Sequence, residues 1–262
     1  MFLCGVILYL CSKSMFMHYK SKLLTRNNHK TIKGEKLGYV TYILYMAPNK
    51  QNDHGKNLCT FASKGCAAAC LYKSGFGGMY THVQKGRINK ANWFIEDRSS
   101  FMEQLMHEIV LAIRKHKGKD KVVFRLNGTS DIPYENIMVA EDKNIFQAFP
   151  MVQFYDYTKN WKRFDKPLPK NYHLTFSRSE TNDDKAMELL AAKHNIAVVF
   201  DKVPKRFRGY RVIDGDVNDL RFKDPKGVIV GLKYKKLTGK KADNKTAFKT
   251  KFAVTLENDT VN

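Results

Sequence analysis

Several features that would assign the chain to a large protein class are missing from its 262 residues. It has no G-x-G-x-x-G or P-loop pattern, which argues against an open nucleotide-binding sheet. No basic-helix, zinc-finger or RNP-type motif is visible. The apolar run at residues 2–11 is too short to span a bilayer, and it has neither the preceding positive charge nor the following small-residue site of a signal peptide. We therefore expect no membrane partner and read residues 1–14 as an extension that folding does not need.

Acidic residues are scarce, with 25 Asp and Glu against 46 Lys and Arg, and the formal net charge is +21. Such an excess attracts nucleic acid or any other polyanion. However, 35 of the basic residues are Lys and only 11 are Arg, whereas specific phosphate and base recognition relies heavily on Arg. Nucleic-acid binding and a solvated, Lys-rich surface both remain open on this evidence.

Cysteine is also scarce, with five residues. An odd, small number in a chain of this length is not a disulfide framework, and it fits a reducing compartment such as the cytoplasm. Three of the five, Cys59, Cys66 and Cys70, stand together in C-T-F-A-S-K-G-C-A-A-A-C. A closed structural zinc site needs four ligands, so three thiols suit a metal or cluster that keeps one position open.

Other interpretations of the cysteines stay open. Buried cysteines can act as small apolar residues. A structural zinc would need a fourth ligand, for which His54 and His82 are the nearest candidates in sequence. A nucleophilic cysteine would need one activated thiolate with a His base, which does not explain three thiols.

The rest of the chain alternates apolar strands with helices. Apolar strands covered on both faces are typical of parallel sheets. We predict an α/β fold, a partial TIM-like (βα)6 barrel with mainly parallel strands, at residues 31–235, between an N-terminal extension (1–30) and a Lys-rich tail (236–262). Predicted strands are 39–47, 122–126, 151–157, 172–177, 196–200, 212–214, 228–232 and a late edge strand at 252–256. Predicted helices are 81–97, a helix starting at Ser100, 136–149 and 181–195.

Polar residues follow most of these strands, and parallel strands end at one face, where active sites are assembled. The candidate binding residues are Asn127, Ser130, Asp131, Asp156, Lys159, Ser177, Arg178 and Glu180. The alternatives are an Asx-type turn with a helix cap at 127–131, a solvated loop at 156–159 and a local ion pair at 178–180. Convergence of these strand ends on the three thiols predicts a site.

The chain resembles the phage "gene product 88" family of uncharacterised proteins from about residue 37 to residue 232. The resemblance rests on LGYVTYILYMAP, CTFASKGCAAACLYKSG, FRLNGTSDI, VQFYDYTK, YHLTFSRSETN and DLRFKDPKGVIVGLK. It implies a phage or mobile-element origin and a location in the bacterial host cytoplasm.

More distantly, the chain is similar to radical S-adenosylmethionine (radical SAM) enzymes, which carry three cysteines in the loop after strand one of a partial barrel. That resemblance implies a 4Fe-4S cluster on Cys59, Cys66 and Cys70, with S-adenosylmethionine at the open iron. It places residues 127–131 near the methionine amine, and Ser177, Arg178 and Glu180 near the ribose or carboxylate. The spacing departs from the family, C-x6-C-x3-C instead of C-x3-C-x2-C, and Ala69 replaces the usual aromatic residue.

Overall fold

One ten-stranded sheet organises the protein. The computed structural model describes residues 22–26, 31–117, 121–140, 142–237 and 243–256. The strands of the sheet are β1 (Leu24–Thr25), β2 (Tyr39–Leu44), β3 (Lys121–Arg125), β6 (Gln153–Thr158), β7 (Tyr172–Ser177), β8 (Ile196–Phe200), β9 (Arg206–Phe207), β10 (Tyr210–Asp214), β11 (Ile229–Lys233) and β12 (Ala253–Val254). A separate two-stranded sheet contains β4 (Met138–Ala140) and β5 (Lys143–Asn144).

The main sheet is mostly parallel, as predicted. Its order is β1-β2-β3-β6-β7-β8-β11-β10-β9, with β12 also paired to β8. Only the end pairs β1–β2 and β9–β10 are antiparallel. The five strands from β2 to β8 lie side by side in chain order, so their carboxyl ends form one continuous edge. The loops that follow them therefore meet in one place.

The sheet does not close. The path of paired strands runs from β1 to β9 without β1 meeting β9, and no closed barrel forms among the described residues. The α/β, mainly parallel part of the prediction is confirmed, and the TIM-like barrel is not. Towards the far end, β11 lies between β8 and β10, so the spatial order there also departs from the chain order.

The longest helices cover one face of the sheet. The α-helices are α1 (Thr31–Glu35), α2 (Lys64–Ala68), α3 (Gly75–Met79), α4 (Thr81–Glu96), α5 (Arg98–Lys115), α6 (Ile145–Ala148), α7 (Asp183–Ala191) and α8 (Thr246–Lys249). In α5, Phe101, Leu105 and Ile109 recur at helical spacing and are fully buried in one cluster with Leu44 and Phe124 of the sheet. The predicted start at Ser100 is slightly late, because Asp97 caps α5 by accepting the Ser100 amide.

The opposite face is covered by the irregular segment between β10 and β11. Leu220 packs against Val123 of β3 and Tyr155 of β6. Asp219 accepts hydrogen bonds from Arg125 at 3.0 Å and from Tyr155 at 3.3 Å. Both faces of the central strands are thus buried, which explains their apolar character.

Residues 136–149 do not form the predicted helix. They form the hairpin of β4 and β5, followed by the single turn of α6. Asp142 takes a positive φ of 60° in the hairpin turn, and Asn144 caps α6 through a capping box with Gln147. These local turn preferences outweigh the helical spacing of the apolar residues.

The packed unit extends beyond the boundaries drawn from the sequence. In the segment assigned to the N-terminal extension, β1 pairs with β2, and the Glu108 carboxylate accepts the amides of Leu23 and Leu24 at 2.7 and 2.8 Å. In the segment assigned to the tail, α8 and β12 pack against α2 and β8. Cys4, Cys11 and the rest of residues 1–21 lie outside the described residues. No described helix is long and apolar enough to cross a membrane.

Candidate functional site

The three cysteines of the C-x6-C-x3-C segment line one cavity of about 230 Å³ at the carboxyl edge of the sheet. Residues at or just beyond the carboxyl ends of β2, β3, β6 and β7 contribute to the same cavity. The lining comprises Pro48, Asn49, Gln51, Cys59, Ala62, Cys66, Ala67, Cys70, Tyr72, Lys73, Arg125, Asn127, Gly128, Thr129, Ser130, Asp131, Tyr157, Thr158, Lys159 and Ser177.

Cys59 is fixed against the loop that follows β3. The Asp131 amide donates to the Leu58 carbonyl at 2.9 Å. The Cys59 thiol donates to the Thr129 carbonyl at 3.6 Å. The first thiol is therefore positioned by the loop 127–131 and not only by its own sequence neighbours.

Cys66 is carried by the short helix α2. Ser63 caps this helix by accepting the Cys66 amide at 3.1 Å, and its hydroxyl donates to Glu180 at 2.8 Å. Glu180 also accepts the Gly65 amide at 2.6 Å. Because Glu180 follows β7, its carboxylate ties the cysteine segment to the far side of the cavity.

Only glycine fits at position 65. A Cβ atom there would lie 2.3 Å from Thr250 Oγ1 and 2.6 Å from Phe252 Cβ. Both contacts are shorter than side-chain atoms normally allow. The C-terminal segment thus presses on the backbone of α2, and a side chain at residue 65 would push the helix away.

Asn127 builds the loop after β3. Its side chain accepts from the Ile132 amide and the Ser130 hydroxyl and donates to the Ile132 carbonyl. Its own amide donates to Asp156 at 2.8 Å. This is an Asx-type arrangement, the alternative raised for 127–131, yet Asn127, Ser130 and Asp131 all line the cavity as well.

Asp131 and Lys159 join two neighbouring strand ends. Asp131 accepts the Lys159 amide at 2.8 Å and forms a 3.1 Å ion pair with Arg163. The Lys159 ammonium donates to the Ser177 hydroxyl at 2.8 Å and to the carbonyls of Ser177 and Arg178. Asp131, Lys159 and Ser177 therefore form one chain of polar contacts along the cavity wall.

Three of the predicted binding residues lie behind the cavity wall. Asp156 is fully buried and accepts from the Asn127 amide and the Tyr172 hydroxyl, and burial raises the pKa of its carboxyl to about 7. Arg178 pairs with Asp183 at 2.7 Å and donates to the carbonyls of Lys251 and Phe252. Together with Glu180, these residues are placed to hold the walls of the site in position.

The thiols are neutral in this environment. Burial raises the pKa of Cys59 to about 12 and that of Cys70 to about 11, and it also raises the pKa of Cys66. Lys159 partly counteracts the shift at Cys66. A bound metal ion reverses this tendency, because a coordinating thiol loses its proton.

The two histidines considered as fourth ligands lie outside the cavity lining. His54 forms a 2.8 Å ion pair with Glu96 at the surface, and the His82 ring lies 5.5 Å from that of Tyr80. Within the described ranges, no group of three or more His, Cys, Asp and Glu side chains is arranged so that it could hold a metal ion. The three thiols share one cavity, but they are not drawn together into ligand geometry.

Sequence reasoning missed Arg125 and Tyr157 as site residues. Both point from neighbouring strands to the cavity, with the Arg125 guanidinium 4.7 Å from the centre of the Tyr157 ring. Their positions in the strands could have indicated this, because each is two residues before a candidate that does line the cavity. Lys73 and Tyr72 carry no comparable signal in the sequence.

Comparison with known proteins identifies a family and nothing more specific. No curated protein and no solved structure gives a significant match to the chain. The family model described as gene product 88 matches residues 22–251, from β1 to the end of α8. The match includes the cysteine segment and every strand end that lines the cavity. The chain therefore belongs to the gene product 88 family.

Proposed function

We propose that Cys59, Cys66 and Cys70 hold a 4Fe-4S cluster and that the cavity beside them receives S-adenosylmethionine at the open iron. The observation that carries this proposal is that the three thiols line one cavity at the carboxyl edge of a mainly parallel sheet. Three protein thiolates leave one iron free, and a free position is what substrate chemistry requires.

The three thiols and the charges around them suit an iron–sulfur cluster chemically. Thiolates are the usual ligands of iron–sulfur clusters, and a cluster with three thiolates is an anion. The cavity supplies complementary charge from Lys73, Arg125 and Lys159, while its one lining carboxylate, Asp131, is already paired with Arg163. Because the thiols are not in ligand geometry, cluster binding would require the segment 59–70 to move.

The chain's own residues have defined tasks in this proposal. Glu180 and Ser63 hold α2 so that Cys66 faces the cavity. Asn127 shapes the loop 127–131, whose polar groups would meet the methionine amine, and Ser177 would meet the ribose or carboxylate. Lys159 would hold Ser177 in place through the 2.8 Å contact between them. When bound and reduced, the cluster would supply an electron to S-adenosylmethionine.

The decisive experiment is anaerobic reconstitution with iron and sulfide. The readouts are absorbance, iron, sulfide and zinc content, followed by reduction and an assay for 5′-deoxyadenosine and methionine. Cys66→Ser should lose iron binding while the protein stays folded. The matched control is the double variant Cys4→Ser/Cys11→Ser, which should bind as much iron as the wild type.

Two results would contradict the proposal in different ways. Iron and sulfide in the native protein without cleavage of S-adenosylmethionine would leave a cluster protein of another kind. Stoichiometric zinc without iron would favour the alternative, a nucleic-acid-binding protein with a structural zinc site. In that case binding should weaken steeply as salt is raised, because the +21 charge would act on phosphates.

The site also suits the compartment that the sequence predicts. Free thiols and an oxygen-sensitive cluster persist in a reducing compartment. We therefore place this activity in the cytoplasm of the bacterial host cell.

A further inference from the structure

We propose that Arg125 and Tyr157 form an anion-binding floor in the cavity, which takes the carboxylate or phosphate group of a small molecule. This inference goes beyond the proposed function and needs no metal, because it rests on two side chains that are not among the proposed cluster ligands. Both side chains line the cavity, and each has a buried polar atom that has no hydrogen-bond partner among the described residues.

Arg125 is a charged group held in place, and its guanidinium makes only some of the hydrogen bonds that it could make. Its Nη1 donates to Asp219 at 3.0 Å, while its Nε has no partner among the described residues. Burial lowers the pKa of Arg125, but the Asp219 carboxylate and further neighbouring groups together raise it above its usual value, so the guanidinium stays charged. A planar guanidinium suits carboxylate and phosphate oxygens.

Tyr157 supplies a neutral donor next to this cation. Burial raises the pKa of its phenol, so the hydroxyl keeps its proton. That hydroxyl is buried and has no hydrogen-bond partner in the part of the chain that the structure describes. Buried polar groups in native proteins are nearly always hydrogen-bonded. Two unpaired groups on residues that line the same cavity therefore point to a ligand that bonds to them.

The positively charged residues that line the cavity favour the binding of an anion. Lys159 and Lys73 add positive charge to the lining. Asp131, the lining carboxylate, is engaged by Arg163 and by the Lys159 amide. A cavity of about 230 Å³ admits a small molecule and not a polymer. The occupant is therefore a small carboxylate or phosphate compound.

The test uses the full chain, freed of metal with a chelator, and the probes are acetate and inorganic phosphate. Thermal unfolding is followed as each is titrated at constant ionic strength, with chloride as the reference. At least one probe should raise the midpoint saturably beyond chloride, and the probe that does so tells a carboxylate site from a phosphate site. If neither exceeds chloride, the proposal is overturned.

Tyr157→Phe is the discriminating variant, because it removes only the hydroxyl. It should weaken binding of the active probe at least fivefold without lowering the midpoint of the ligand-free protein. Tyr134→Phe is the matched control, since Tyr134 also has a buried hydroxyl without a partner but lies outside the cavity lining. The control should bind the probe as the wild type does.

Arg125→Lys gives an independent check that keeps a cation beside Asp219. It should weaken binding of the active probe tenfold or more. Unchanged binding in either Tyr157→Phe or Arg125→Lys would overturn the proposal, as would a clear drop in the ligand-free midpoint of Tyr157→Phe, which would show an internal partner for the hydroxyl. None of these readouts depends on iron, so failure here is distinguishable from failure of the cluster proposal.

Discussion

The Glu180 carboxylate accepts the backbone amide of Gly65 at a distance of 2.6 Å. This contact joins two segments that are 115 residues apart in the chain. One segment carries the thiols and the other follows β7. The geometry of the cavity therefore depends on a carboxylate that does not itself line it.

Replacing Glu180 by Ala should loosen the cysteine segment. The Gly65 amide and the Ser63 hydroxyl would both lose a charged acceptor, and hydrogen bonds to charged groups contribute about 1.5–3 kcal/mol each. We expect a loss of at least about 3 kcal/mol, the lower end for two such bonds, in the free energy of unfolding measured by urea denaturation. Glu180→Gln, which keeps an acceptor, should lose less.

The control for Glu180 is another glutamate in a salt bridge at the surface. Glu188 pairs with Lys185 on the exposed face of α7. Exposed pairs contribute little, so Glu188→Ala should change stability by less than about 1 kcal/mol. Equal losses in the two Ala variants would contradict the role assigned to Glu180.

Gly65→Ala should be destabilising although alanine favours helices. The added Cβ would meet Thr250 and Phe252 at 2.3 and 2.6 Å. Overpacking of this kind costs about 1–3 kcal/mol. Gly86→Ala in α4 is the matched control, because no atom of the described residues lies within 4 Å of its Cβ position. That control should gain about 0.5–1 kcal/mol by helix propensity. Differential scanning calorimetry on both variants would show whether the two changes have opposite signs.

Asp156 should make the protein less stable as pH rises from about 4 to about 7. Burial raises the pKa of its carboxyl to about 7 in the folded state, above the value of about 3.9 expected in the unfolded chain. Between these values the folded state binds more protons than the unfolded state, so stability falls with rising pH. Relative to wild type, Asp156→Asn should therefore gain stability between pH 4.5 and pH 7.5, by a few kcal/mol at about 1.4 kcal/mol per pKa unit.

Asp183 should give the opposite dependence of stability on pH, and it serves as the comparison. Burial opposes ionisation there, but the hydrogen bonds from Arg208 and Arg178 prevail and lower its pKa. Its contribution is present above the unfolded pKa and is lost as pH falls through the folded pKa. Asp183→Asn should therefore cost stability at neutral pH and progressively less in acid. Stability would be measured by urea denaturation across this pH range. If the stability change relative to wild type varied with pH in the same direction for Asp156→Asn and Asp183→Asn, the opposite pKa shifts assigned to the two carboxyls would be refuted.

The sequence predicted the cavity better than it predicted the contacts that build it. The central strands and the site at their carboxyl ends follow from local patterns, since apolar runs and the polar residues after them are adjacent in the chain. The roles of Glu180 and Arg163 do not, because each depends on a partner brought near only by folding. Arg163, for example, pairs with Glu135 at 2.7 Å across 28 residues.

The helix prediction at residues 136–149 was wrong for a different reason. There the helical spacing of the apolar residues was real, but Asp142 and Asn144 favour a turn and a cap, and those local preferences decide the structure. The partial TIM-like barrel is not confirmed, and the sequence could not decide it, because strand alternation fixes neighbours and direction but not whether the last strand meets the first. Closure depends on tilt and shear, which no local pattern encodes.

The cavity thiols should be poor nucleophiles in the native, metal-free protein and become reactive when it unfolds. Burial raises the pKa of Cys59 to about 12 and that of Cys70 to about 11, and each pKa unit reduces the thiolate fraction about tenfold. In a Cys4→Ser/Cys11→Ser background, alkylation by iodoacetamide at pH 8 should be at least tenfold slower in buffer than in 8 M urea. Mass spectrometry of the modified peptides would follow the three thiols separately. Lys159 partly counteracts the raised pKa of Cys66, so Lys159→Met should slow the alkylation of Cys66. Equal rates in buffer and urea would show that the segment 59–70 is open and that its thiols are not held in the cavity.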